Sequence, residues 1–157
     1  MFPKMRRKNQ QLPQDECERI LKTASYGVLG LNGINGYPYT VALNYVYNSG
    51  KIYFHCALQG YKTDCIKGDC RASFSVIGDD TVIAPKYTTA YRSVTAFGKV
   101  KILDDRNEIL TAIKKITLKY VEDTTDMQAE IDKYINSLCI LEMTVEHMTG
   151  KAGLESE

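Results

Sequence analysis

The chain has 157 residues and a mass of 17.7 kDa, which suits one domain with a sizeable core. Hydrophobic residues make up 44% and charged residues 25%, which excludes disorder, collagen or a membrane span as the main state. Twenty basic residues against nineteen acidic ones leave a net charge of +1, too balanced for a general nucleic-acid binder.

The opening MFPKMRRKNQ is basic but has no apolar stretch behind it, so it does not read as a secretory signal. Lys4, Arg6, Arg7 and Lys8 read as a solvated or partner-contacting arm over about residues 1–12. Residues 13–23 predict a helix with Asp15 and Glu16 in its first turn and Cys17, Ile20 and Leu21 on one face. A β-rich region follows. SYGVLGLNG reads as a strand, Asn35-Gly36 as a hairpin turn, and YTVALNYVY as the return strand. Asn48-Ser49-Gly50 is a second turn and KIYFHCA the next strand. GYKTDCIKGD predicts a short helix. RASFSVI predicts a strand with Phe74 and Val76 on one side and Ser73 and Ser75 on the other. GDDTVIAPKYTT, broken by Pro85, reads as an irregular connection, and YRSVTAFGKVKIL as a long strand. DDRNEILTAIKKITLKYV and MQAEIDKYINS are helical, and SLCILEMTVEHMTGK closes the chain as a strand before a frayed tail at about 152–157. About six strands without β–helix–β alternation predict a mainly β fold: an antiparallel barrel with flanking helices.

The five cysteines, Cys17, Cys56, Cys65, Cys70 and Cys139, are odd in number and scattered, which suits reduced thiols in a cytoplasmic chain. With only His55 and His147, no multi-histidine metal site is expected within one chain. No dinucleotide fingerprint, Walker loop or nucleophile elbow is present. The informative segment is IYFHCALQGYKTD. A strand ends at His55-Cys56-Ala57, and a glycine turn leads into a helix start where free N–H groups and Lys62 would bind an anion such as phosphate. Arg92 is a second basic candidate, open to pairing with an acid or gripping a phosphate. Tyrosines 37, 39, 45, 47 and 53 cluster on adjoining strands, as barrel core or as walls for a planar ligand.

Taken in order, MRRKNQ, SYGVLGL, GYPYTVALNYVY, GKIYFHCALQGYKTD, RASFSVI, KYTTAYRSVTAFGKVKIL and LEMTVEHMTGK resemble the 5-nitroimidazole resistance (Nim) proteins, members of the pyridoxamine 5′-phosphate oxidase-like flavoproteins. The resemblance implies a Greek-key split β-barrel that binds FMN, with FAD as a variant, at the interface of a homodimer. It implies that Thr40, Val41, Ala42, Leu43 and Asn44 line the flavin ring. His55, Cys56, Ala57, Gly60, Tyr61 and Lys62 would hold the ribityl phosphate, and His55 is the catalytic candidate. Arg92 and Ser93 match positions near the cofactor. His147, Thr149 and Lys151 would approach the site, from the same chain or its partner.

The activity implied is flavin-dependent reduction of a nitroimidazole or another small electrophile, with a nicotinamide as electron donor. The alternatives are a non-catalytic flavin sensor or carrier, or a barrel holding haem or a deazaflavin. Three departures bear on the substrate. Tyr61 stands where the family commonly has histidine, Ala42 and Asn44 replace its usual proline and serine, and the arginine-rich C-terminal pattern of true vitamin B6 phosphate oxidases is missing.

Overall fold

The computed structural model describes residues 1–153. Among them run β1 (Gln11–Leu12), α1 (Gln14–Thr23), β2 (Tyr26–Asn32), β3 (Pro38–Asn44), β4 (Val46–Asn48), β5 (Lys51–Ala57), α2 (Tyr61–Gly68), β6 (Arg71–Ile83), β7 (Thr88–Ile102), α3 (Arg106–Tyr120), α4 (Met127–Tyr134) and β8 (Leu138–Ala152). All strand pairings are antiparallel, in the order β3-β2-β6-β7-β8-β5-β4, with β1 added to β8. The two ends of that order, β3 and β4, are consecutive in the chain and separated only by Tyr45. The sheet therefore curls until one bent segment serves both its edges. This is a split barrel, as expected.

Alternation produces this curl. In β2, Gly27, Leu29 and Leu31 are buried while Tyr26, Val28 and Asn32 are exposed. In β7, Val94, Ala96, Gly98 and Val100 point inward. With Phe54, Phe74, Tyr45 and Met143 they fill the barrel, and α1 closes one end with Cys17, Ile20 and Leu21. A second, smaller core lies outside the barrel, where α3 and α4 pack Ile113, Ile116 and Ile131 on Ile140 of β8. The middle of β8 is thus covered on both faces, which explains its unbroken run of buried residues from Cys139 to Met143. Asp105 caps α3, accepting a hydrogen bond from the Glu108 N–H at 2.9 Å.

The structure corrects three expectations. GDDTVIAPKYTT is no irregular connection: β6 continues to Ile83 and β7 starts at Thr88, with one helical turn, Ala84–Lys86, around Pro85. Ladder bonds across Asp79–Ile83 and Thr88–Arg92 override the weak strand pattern. YTVALNYVY is two strands bent at Tyr45. The opening arm is partly tied down, because Gln11 and Leu12 pair with Lys151 and Gly150. Of the frayed tail expected at about 152–157, Ala152 still belongs to β8 and the Gly153 N–H donates to the Tyr91 carbonyl at 2.8 Å, while residues 154–157 lie outside the described residues. No described helix is long and apolar enough to cross a membrane.

Candidate functional site

Two features meet near β3. The first is a cradle at the start of α2. Gly60 caps the helix with φ +156° and ψ 173°, a region open essentially only to glycine. Its carbonyl accepts from the Asp64 N–H at 3.1 Å and the Thr63 hydroxyl at 2.7 Å. The N–H groups of Tyr61, Lys62 and Thr63 precede the first intrahelical bond and point outward. Thr63, Cys65 and Ile66 bury the other side of α2 and fix its direction. The result is a cavity of about 110 Å³ bordered by Tyr39, Cys56, Ala57, Gln59, Gly60, Tyr61, Lys62 and Thr63. Lys62 makes no ion pair among the described residues. Tyr61 stands edge-on to Tyr39, ring centres 5.0 Å apart, and its buried hydroxyl has no hydrogen-bond partner.

The second feature is the outward face of the sheet. Directly opposed residues of an antiparallel ladder share a face. One row runs Thr40, Gly30, Ser73, Phe97, His147 across five strands. The next runs Ala42, Val28, Ser75, Thr95, Thr149. A third holds Asn44 beside Tyr26, and Ile77, Ser93 and Lys151. Small and hydroxyl side chains dominate, and the strands lie open, as a flat ligand or a partner surface requires. At one end of this face a cleft of about 650 Å³ is lined by Thr40, Ser73, Phe97, Arg71 and Phe2. Tyr39 borders both this cleft and the cradle.

The structure thus gathers Thr40, Ala42, Asn44, Ser93, His147, Thr149 and Lys151 on one face. It gathers Cys56, Ala57, Gly60, Tyr61 and Lys62 in the cradle. Val41 and Leu43 face the barrel interior and reach the outward face only through their backbone. The Asn44 amide donates to the Ser25 carbonyl at 3.0 Å. Phe2 stacks on His147, rings 5.0 Å apart and nearly parallel, and the His147 Nε2 is buried without a partner.

Two residues fall elsewhere. His55 lies on the opposite side of β5 from Cys56 and lines a separate, largely apolar cavity of about 410 Å³ with Ile113, Ile116 and Leu138. Arg92 points to the α1 side, its guanidinium 3.3 Å from the Glu16 carboxylate. A stronger hydrogen bond from Arg19, then both arginine charges, hold that carboxyl below its usual range. Sequence reasoning missed Tyr39, Gln59 and Thr63 in the cradle and the row partners Ser73, Ser75, Thr95 and Phe97 on the face. The Ser73/Ser75 alternation was the available signal for the latter.

Residues 13–152 match the family model described as pyridoxamine 5′-phosphate oxidase. No curated protein sequence matches the chain. Among solved structures, a candidate 5-nitroimidazole antibiotic resistance protein from Bacteroides thetaiotaomicron is 21% identical with a TM-score of 0.78, covering 90% of this chain and 86% of that one. A conserved hypothetical protein from Mycobacterium tuberculosis is 18% identical with a TM-score of 0.83, covering 98% and 96%. A FAD and haem binding protein from Mycobacterium smegmatis is 16% identical with a TM-score of 0.76, covering 94% and 76%.

Proposed function

The chain belongs to the pyridoxamine 5′-phosphate oxidase family, and from that premise we propose that it is a flavin-dependent oxidoreductase acting on a small electrophile of the nitroimidazole kind. The observation that carries the proposal is the meeting, at Tyr39, of an anion cradle with an open, hydroxyl-lined sheet face. The residues fit a flavin. Lys62 and the free N–H groups of α2 would hold its phosphate. The cradle's small volume suits one terminal phosphate, which favours FMN over FAD. Thr40 and the β3 backbone would position the ring, and the Asn44 amide its polar edge.

When bound, flavin supplies two-electron chemistry between a reduced nicotinamide and the electrophile. The chain's own part is binding, orientation and exclusion of water. In this reading His147 shares the ring's face while His55 does not, and Phe2, stacked on it, would have to move for its Nε2 to reach the substrate. The face has room for a second copy of the chain, and we take the working unit to be a homodimer with the flavin between subunits.

One observation favours a second reading, a non-catalytic flavin carrier. His55 opens away from the face, leaving His147, Lys151 and the Tyr26 phenol as the ionisable groups in its three rows. Turnover separates the two. FMN-loaded protein should oxidise a reduced nicotinamide faster when a nitroimidazole is present and yield the reduced nitro product. Loaded protein that shows no acceptor-dependent turnover with any of several nitro compounds and quinones overturns the enzyme reading.

A further inference from the structure

Cys56 and Cys139 face each other across the β5–β8 ladder as directly paired residues, their Sγ atoms 3.7 Å apart. Opposed residues in such a ladder already have their Cα and Cβ atoms at or near the spacing a disulfide needs, so side-chain rotation with little backbone movement would bring the sulfurs into bonding range. The two thiols differ sharply in setting. Cys139 is 5% exposed and sits in the barrel core. Cys56 is half-buried and forms part of the cradle wall beside Lys62. The other three cysteines are free and unpaired with these two: Cys17 and Cys65 are buried and Cys70 is exposed.

We propose that Cys56, in the cradle wall, and Cys139, in the core behind it, are a reversible thiol–disulfide pair, oxidised by a small peroxide entering through the cradle. The Cys56 thiolate attacks one peroxide oxygen, breaking the O–O bond. This gives a Cys56 sulfenic acid and, with one proton, water or an alcohol. The Cys139 sulfur then attacks the sulfenic sulfur. The S–S bond forms, the S–O bond breaks, and the hydroxide leaves as water with the Cys139 proton. A thiol reductant returns both groups to thiols. The division of labour follows from the surroundings. The hydrogen bond shared with Cys139 and the charge of Lys62, acting against desolvation, hold Cys56 below the usual thiol range, while the same bond and burial push Cys139 up. Cys56 is therefore the attacking thiolate and Cys139 the resolving thiol.

One consequence rests on the phosphate reading of the cradle. A bound phosphate adds negative charge beside Cys56 and engages Lys62, so it disfavours the thiolate. A one-unit rise would slow oxidation up to about tenfold.

The test is peptide mapping after one equivalent of hydrogen peroxide at pH 7, with and without FMN. Wild-type protein should yield a Cys56–Cys139 linked peptide that dithiothreitol removes, forming roughly tenfold faster than oxidation of exposed Cys70. Cys139→Ser should stop at a Cys56 sulfenic acid trapped by dimedone. A wild-type map in which Cys70 reacts first, or no linked peptide forms, overturns the pair even if FMN binds. A linked peptide whose rate ignores saturating FMN leaves the pair standing and removes the phosphate reading instead.

Discussion

Gly60 and Lys62 do different work in the cradle. Gly60 adopts a backbone conformation that a side chain strains by roughly 1–3 kcal/mol, although nothing lies within 4 Å of where a Cβ would point. Gly60→Ala should therefore tilt the start of α2 and weaken flavin binding without a steric clash in the core. Lys62→Ala should leave the fold intact, because Lys62 makes no ion pair among the described residues, yet remove a charge-assisted phosphate contact worth about 1.5–3 kcal/mol. Flavin fluorescence titration should show a loss of about 10- to 150-fold for Lys62→Ala, and equal affinities would place the clamp elsewhere. Both residues were legible in the sequence, because a glycine followed by a lysine at a strand-to-helix turn has local physics. The opposite facing of His55 and Cys56 was legible in principle from strand alternation. Which side of β5 met the helices was not, because α3 and α4 arrive about 50 residues later.

At the scale of elements, the bend between β3 and β4 is held from α3. The Tyr45 N–H donates to the Tyr120 hydroxyl at 3.0 Å, and that hydroxyl shares its single proton between the carbonyls of Ser25 and Tyr45. The Tyr45 hydroxyl donates to the Leu21 carbonyl at 2.7 Å. Lys119 lies over the Tyr45 ring, 3.7 Å from its centre, and donates to the Ala24 carbonyl at 2.7 Å. These partners are 24 to 95 residues apart, so the local alternation of YTVALNYVY read as one strand. Partial burial brings the Lys119 ammonium down from 10.5 to about 8. Between those values the unfolded chain holds a proton that the folded chain has lost, so this group makes stability rise with pH from about 8 to 10.5. Urea unfolding across that range should show the stability of Lys119→Met relative to wild type falling as pH rises. A flat difference would show that the ammonium is solvated.

For the molecule as a whole, the unusual feature is a sheet face that no described helix covers. Helices close the barrel end and cover the β5–β8 side, but among the described residues no helix lies over the rows from β3 to β8, where only Phe2 of the opening arm stacks on His147. Tyr26 is 60% exposed and Ile77 64% exposed on this face. Under the proposed homodimer these exposed apolar side chains would lie against the second copy. With a second copy as the partner, sedimentation should give a dimer, and Ile77→Arg should shift it towards monomer and weaken flavin binding together. A monomeric wild type would remove the shared-site part of the proposal. The fold class was legible because alternating strands and two late helices leave few arrangements. The rows were not, because Thr40, Ser73, Phe97 and His147 meet only through ladders whose register depends on the whole sheet.

The most direct test of flavin binding at this cradle and face is equilibrium dialysis of the purified, folded protein against FMN, followed by an absorbance spectrum. Bound-flavin bands at one FMN per chain, competed by inorganic phosphate at high concentration, are the expected result. Folded protein that takes up no flavin would contradict it.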